Sequence, residues 1–106
     1  NENVGMYQRY VYNYRKIKQI LDQRKIKLVC VQYPMCSIKP LENIFPPKTG
    51  IVFVDNEKIF KDALMHANYE TYFEDKFAEN FGHATREGNR LLAENIASAI
   101  IRDLNR

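Results

Sequence analysis

Several common chemistries are ruled out by what this 106-residue sequence lacks. It has four glycines, and none of them builds a loop able to cradle a phosphate. It has two cysteines, Cys30 and Cys36, and two histidines, His66 and His83. These contain no Cys-x-x-Cys pair and do not fall at zinc-ligand spacings, so neither a small redox domain nor a metal site is indicated, and no cofactor is expected. Cys30 lies in an apolar run and reads as a small buried residue. A disulfide to Cys36 is not indicated, and the compartment stays open. No apolar run approaches the roughly 18 residues that a membrane span requires, so no span is expected. Charge of one sign is also scarce in excess: 16 basic and 13 acidic side chains leave +3, which favours no polyanionic partner such as a nucleic acid. Serine occurs only as Ser37 and Ser98.

What is present reads as one domain of a globular protein, 45% hydrophobic and 27% charged. The chain starts at Asn1 rather than at a methionine, which implies cutting from something longer or processing, and leaves a lost targeting segment open. Residues 4–24 predict an amphipathic helix. Tyr10, Tyr14, Ile17 and Leu21 follow one another at steps of four, three and four, with Val11 and Ile20 beside them, and Arg15, Lys16, Lys18, Asp22 and Arg24 opposite. The mixture of Tyr7, Tyr10, Tyr12 and Tyr14 with Arg9, Arg15, Lys16 and Lys18 has the composition of a nucleic-acid surface. The simpler reading is that the tyrosines pack on a sheet and the basic residues face water. Residues 27–33 and 50–54 predict short buried strands of the parallel-sheet kind. The prolines of 35–49 (Pro40, Pro46, Pro47) predict loop, with a short helix at 40–45.

Asp55 or Asn56 is placed to cap a helix over 57–66, with Glu57 in its first turn. Residues 68–82 are aromatic-rich and irregular. Thr85 is placed to cap a last helix, 86–104, whose apolar face is Leu92, Ile96, Ala99 and Ile100, continued by Leu104. Ser98 lies one residue off that face and is expected to pack. Helices alternating with strands imply parallel strands with right-handed crossovers. Yet two strands, each apolar on both sides, are too few: three or more are normally needed for independent stability. The pattern therefore predicts that further strands come from a missing N-terminal half of the same protein or from a second copy, with residues 1–106 as a single partial domain.

His83 carries the chemical interest. It follows Gly82 and precedes a helix N-terminus, where the dipole disfavours the imidazolium and favours a neutral ring able to take a hydroxyl proton. The alternative is a histidine that caps the helix or packs on Phe81. The order of segments bears on that choice. A strand ending in Val54-Asp55, an aromatic loop, His83, and then Thr85, Gly88-Asn89 and Leu91-Leu92-Ala93 resemble the last motif block of SGNH/GDSL-type hydrolases. The runs 26–34 and 51–55 are similar to that family's last two strands. The resemblance covers essentially the whole chain; it is specific around 81–97 and generic elsewhere.

The resemblance implies an α/β fold, part of a flavodoxin-like three-layer α/β/α sandwich. It also implies an ester hydrolase whose serine comes from an N-terminal Gly-Asp-Ser block, with the oxyanion hole supplied by that serine's N–H, a glycine and an asparagine. His83 matches the family's base. Three residues before it, where the family has an imidazole-orienting aspartate, stands Asn80, which can accept a hydrogen bond but cannot stabilise imidazolium by charge. Asp75 or Glu79 could swing in instead, Asp75 being preferred. Ser37, at the end of the first strand, and Cys36 beside it lack the nucleophile's context. The expectation is a C-terminal hydrolase portion, inactive alone, acting in the complete protein through His83 with Asn80 or Asp75 on an ester of open class. The rival is a non-catalytic interaction or oligomerisation module on a degenerate scaffold of the same kind.

Overall fold

The structure, a computed structural model, describes residues 2–46 and 50–106, with side chains from residue 5 onward. The start at Asn1 and the Pro47 end of the predicted loop fall outside the described residues. In chain order the elements are α1 (Glu2–Gln23), β1 (Leu28–Val31), α2 (Lys39–Glu42), β2 (Ile51–Val54), α3 (Glu57–Leu64), α4 (Tyr69–Tyr72) and α5 (Arg86–Leu104). β1 and β2 pair in parallel, with Leu28 opposite Ile51 and Val31 opposite Val54. The ladder continues one step further, where the Gln32 amide donates to the Val54 carbonyl at 3.1 Å.

Side chains alternate between the two faces of a strand, and here both sets are apolar. On one face Cys30, Leu28, Ile51 and Phe53 meet Val11 of α1 and the residues Leu41, Ile44 and Phe45 around α2. On the other, Val29, Val52 and Val54 meet Ile96 and Ala99 of α5. The result is a parallel α/β arrangement with helices on both faces of a two-stranded sheet. A third cluster forms past the C-terminal ends of the strands, around Phe60, Phe73 and Phe81. Phe60 and Phe73 are completely buried there, each contributing about 2–3 kcal/mol by leaving water.

The strand ends are joined to α5 through Asn56, the only buried polar residue among those described, with 0% exposure. Its side-chain amide donates to the Gln32 carbonyl at 2.8 Å and its oxygen accepts from Asn95 of α5 at 2.7 Å; Asn95 also donates to the Asp55 carbonyl at 2.9 Å. The capping expectation divides between the two candidates. Asn56 occupies the cap position of α3 without a side-chain cap bond, while Asp55 Oδ1 accepts from the Glu57 amide at 2.9 Å. Thr85 caps α5 as expected, accepting from the Gly88 amide at 3.2 Å.

Three packing expectations are corrected. The tyrosines of α1 do not pack on the sheet: Tyr7, Tyr10 and Tyr12 are more than half exposed, and Ile17 and Ile20 nearly so. The reason is width. Two paired strands, about 5 Å apart, make a sheet no wider than the helix of about 10 Å that lies on it, so much of the α1 surface has nothing beneath it. Val11 reaches the core, Tyr14 meets Phe45 edge-on at 6.1 Å, and Arg15 Nε anchors the helix by donating to the Ile44 carbonyl at 2.7 Å. Ser98 is likewise exposed, since Ala99 takes the buried position, and Leu104 projects past the sheet at 75% exposure.

Candidate active site around His83

The segment between α4 and α5 is a loop that returns on itself. Phe73 and Ala84 form an isolated antiparallel bridge. The Glu74 amide donates to the His83 carbonyl at 2.7 Å, the Thr85 amide to the Tyr72 carbonyl at 3.0 Å, and the Ala78 amide to the Phe81 carbonyl at 3.2 Å. The two arms are so close at one point that only glycine fits. A Cβ on Gly82 would lie 1.9 Å from the Asp75 carbonyl oxygen. The base of the loop is fixed by Thr85, whose hydroxyl donates to the Thr71 carbonyl at 2.6 Å while capping α5.

This fold-back brings Asp75 beside His83, eight residues later. One carboxylate oxygen accepts from the His83 backbone amide at 2.7 Å, and the other lies 2.7 Å from the ring Nδ1. The hydrogen bonds from the His83 amide and ring, with a smaller contribution from the histidine's charge, hold the Asp75 carboxyl below the ordinary aspartate value, and partial burial opposes them. An ionised carboxylate can only accept, so Nδ1 carries the proton of the neutral ring and Nε2 presents its lone pair outward. Side-chain exposures of 68% for His83 and 50% for Asp75 leave that nitrogen open to an incoming group.

An aromatic path leads from the ring to the end of β1. Phe77 lies 4.5 Å from the imidazole, tilted by 44°. It meets Phe81 edge-on at 5.3 Å, and Phe81 stacks on Tyr33, also at 5.3 Å. The pair thus sits beyond the carboxyl ends of the parallel strands, where ligands of open α/β sheets bind.

Of the residues singled out by sequence, the structure joins His83 with Asp75 and leaves Asn80 apart. Asn80 is exposed in the turn closed by the Ala78–Phe81 hydrogen bond and makes no hydrogen bond to the ring. The spacing of three cannot bring it there because the loop turns at 78–81 and pairs 74–75 with 82–83 instead. Glu79 is exposed in the same turn. Ser37 is exposed, and its hydroxyl accepts from the Lys39 amide at 3.2 Å, a role in starting α2. Cys36 packs against the aromatic cluster, where burial and then Glu57 raise its thiol pKa, which disfavours a thiolate. Cys30 and Cys36 are both free, and no group of metal-binding side chains occurs among the described residues. Tyr69 and Phe77 fall in the aromatic loop that the sequence offers as either an acyl-pocket lining or a sheet-edge cover; their contacts with the Asp75–His83 pair, and that of Gly82, come only from the structure. A glycine next to a candidate base was the available signal, since it marks close backbone approach. Comparison with protein-family models, curated proteins and solved structures found no match to this chain.

Proposed function

We propose that this chain is the histidine-bearing, C-terminal portion of a serine ester hydrolase of the SGNH/GDSL type, with a flavodoxin-like sandwich completed by strands from the serine-bearing part of the same protein. The observation that carries this reading is the doubly hydrogen-bonded Asp75–His83 pair, with Nε2 free at the carboxyl end of a parallel sheet. In the complete enzyme the serine hydroxyl attacks the ester carbonyl carbon as its proton passes to His83 Nε2. The tetrahedral intermediate then expels the alkoxide, which takes that proton and leaves as the alcohol. Water repeats the sequence on the acyl-serine and releases the acid. Asp75 holds the ring with Nδ1–H turned inward and stabilises the imidazolium of each step. The role weighed for Asn80 passes to Asp75.

The two sheet edges differ in a way that suits this completion. The groove along β2 is lined by Glu42, Arg102, Asp103 and Arg106, the charges that guard a terminal edge. The groove along β1 is lined by the strand itself with Tyr14, Ile17 and Leu41. In this reading β1 receives the next strand, parallel and uncharged.

The test is hydrolysis of p-nitrophenyl acetate by two purified proteins, the 106-residue chain and the product of the complete coding sequence. The chain alone should be inactive. The complete protein should be active and lose at least about 10³-fold in kcat/KM on His83→Ala. Rapid hydrolysis by the chain alone that depends on His83 sinks the need for an outside nucleophile. A complete coding sequence without a Gly-Asp-Ser block, giving an inactive protein, favours the second reading. That reading is a non-catalytic interaction module, and the exposed apolar side chains of α1 speak for it.

A further inference from the structure

Asp75 lies on an exposed loop, and its carboxylate spans two donors only if its backbone stands at the right height. Two contacts fix that height. From one side the Tyr69 hydroxyl donates to the Asp75 carbonyl at 2.7 Å. From the other, Gly82 bears on the same carbonyl at a distance no Cβ could share. Tyr69 is itself held. Its ring lies 4.9 Å from the fully buried Phe73 and packs on the cluster of Phe60, Phe73 and Phe81. The charged groups around it are Asp75, Glu70 and Lys76, whose ammonium stands 5.8 Å above the ring. Desolvation, then the negative charges of Asp75 and Glu70, raise the phenol above its ordinary value, so the hydroxyl stays a donor throughout the neutral range.

We propose that Tyr69 is a positioning residue for the Asp75–His83 pair, its hydroxyl seating the Asp75 backbone so that one carboxylate holds both the His83 amide and Nδ1. The catalytic meaning of this assignment rests on the hydrolase reading, but the geometry can be tested without any substrate. A long-range ¹H–¹⁵N spectrum of the product of the complete coding sequence, at a pH where the ring is neutral, reports which ring nitrogen carries the proton. The wild type should hold the Nδ1–H form. Tyr69→Phe keeps the ring packing and removes only the donor, and should shift the ratio toward the Nε2–H form by about fivefold, the equivalent of one ordinary hydrogen bond.

Asp75→Asn should abolish the preference. In the wild type the ratio should also relax at high pH as Tyr69 ionises, followed at its own ring carbon, and this measurement decides the matter if Tyr69→Phe does not fold. A ratio indifferent both to Tyr69→Phe and to Tyr69 ionisation overturns the assignment while leaving the pair intact. A ratio indifferent to Asp75→Asn overturns the assignment together with the hydrogen bond on which the hydrolase reading depends.

Discussion

At the scale of single residues, one carboxylate decides what His83 can do. An asparagine at position 75 could still accept from the amide, yet it would carry no charge to match an imidazolium. In a serine protease triad the same change costs about 10⁴ in turnover, largely through the wrong tautomer. On the hydrolase proposal, the complete protein should therefore lose activity on that order with Asp75→Asn, whereas Asn80→Ala should stay within about twofold, because surface side chains without partners contribute little. A kcat comparison on p-nitrophenyl acetate separates the two.

The same carboxylate makes the loop acid-sensitive. Its folded pKa lies below the ordinary aspartate value, so the stabilisation it gives is fully present above that ordinary value and is lost as pH falls through the lower folded one. The downward direction is the same as for any carboxylate better bonded when folded. Backbone amide spectra recorded on acidification should show Glu74, Asp75 and His83 losing their folded shifts before β1 and β2. Asp75→Asn should remove that early step. A single transition shared by loop and sheet would show that the pairing contributes nothing local.

At the scale of elements, much was legible because it is encoded in short-range pattern. The period of Leu92, Ile96 and Ala99, the Thr85 cap and the two β-branched runs each depend on neighbours a few residues away, and α5 and both strands lie where those signals place them. Boundaries differ where tertiary context decides. β1 is shorter than 27–33 because only β2 is there to pair with it, and α4 is a single turn inside a stretch with no periodic signal. The pairing of Asp75 with His83 was open in sequence because it depends on where the loop turns, a matter of cross-loop hydrogen bonds and the space left at Gly82.

The Asn56 junction was invisible for a similar reason. A cap residue and a buried strut read alike in sequence, and only the positions of Gln32 and Asn95 make Asn56 the latter. Asn56→Ala would leave the Gln32 carbonyl and Asn95 short of partners in a closed site and should cost about 2–3 kcal/mol in urea unfolding. Thr85→Ala, losing the α5 cap and the exposed hydroxyl bond to the Thr71 carbonyl, should cost about 1–2 kcal/mol. The reverse order of the two would mean that the sheet-to-α5 junction is not where the polar bonding matters.

At the scale of the whole molecule, the chain spreads further than its length requires. The radius of gyration is 15.5 Å, against about 13 Å for a compact domain near 100 residues. The spread lies in two dimensions, 43 × 42 Å against 19 Å in the third, and it comes with the uncovered face of α1 beside the open edge of β1. Extra strands on β1 would address both at once by widening the sheet beneath the helix and pairing the edge. Because the Gln32 amide points to β2, alternation along the strand turns the amides of Val29 and Val31 outward.

Those two amides should exchange rapidly with solvent in the isolated chain and become protected in the product of the complete coding sequence. If the hydrolase reading holds, Val31→Lys should undo that protection and the proposed esterase activity together, since a charge there opposes a neighbouring strand. Protection in the isolated chain that rises with its own concentration would assign the edge to a second copy instead. Amides that stay fast in the complete protein would remove β1 as the joining edge and, with it, the route by which the proposed serine would reach His83.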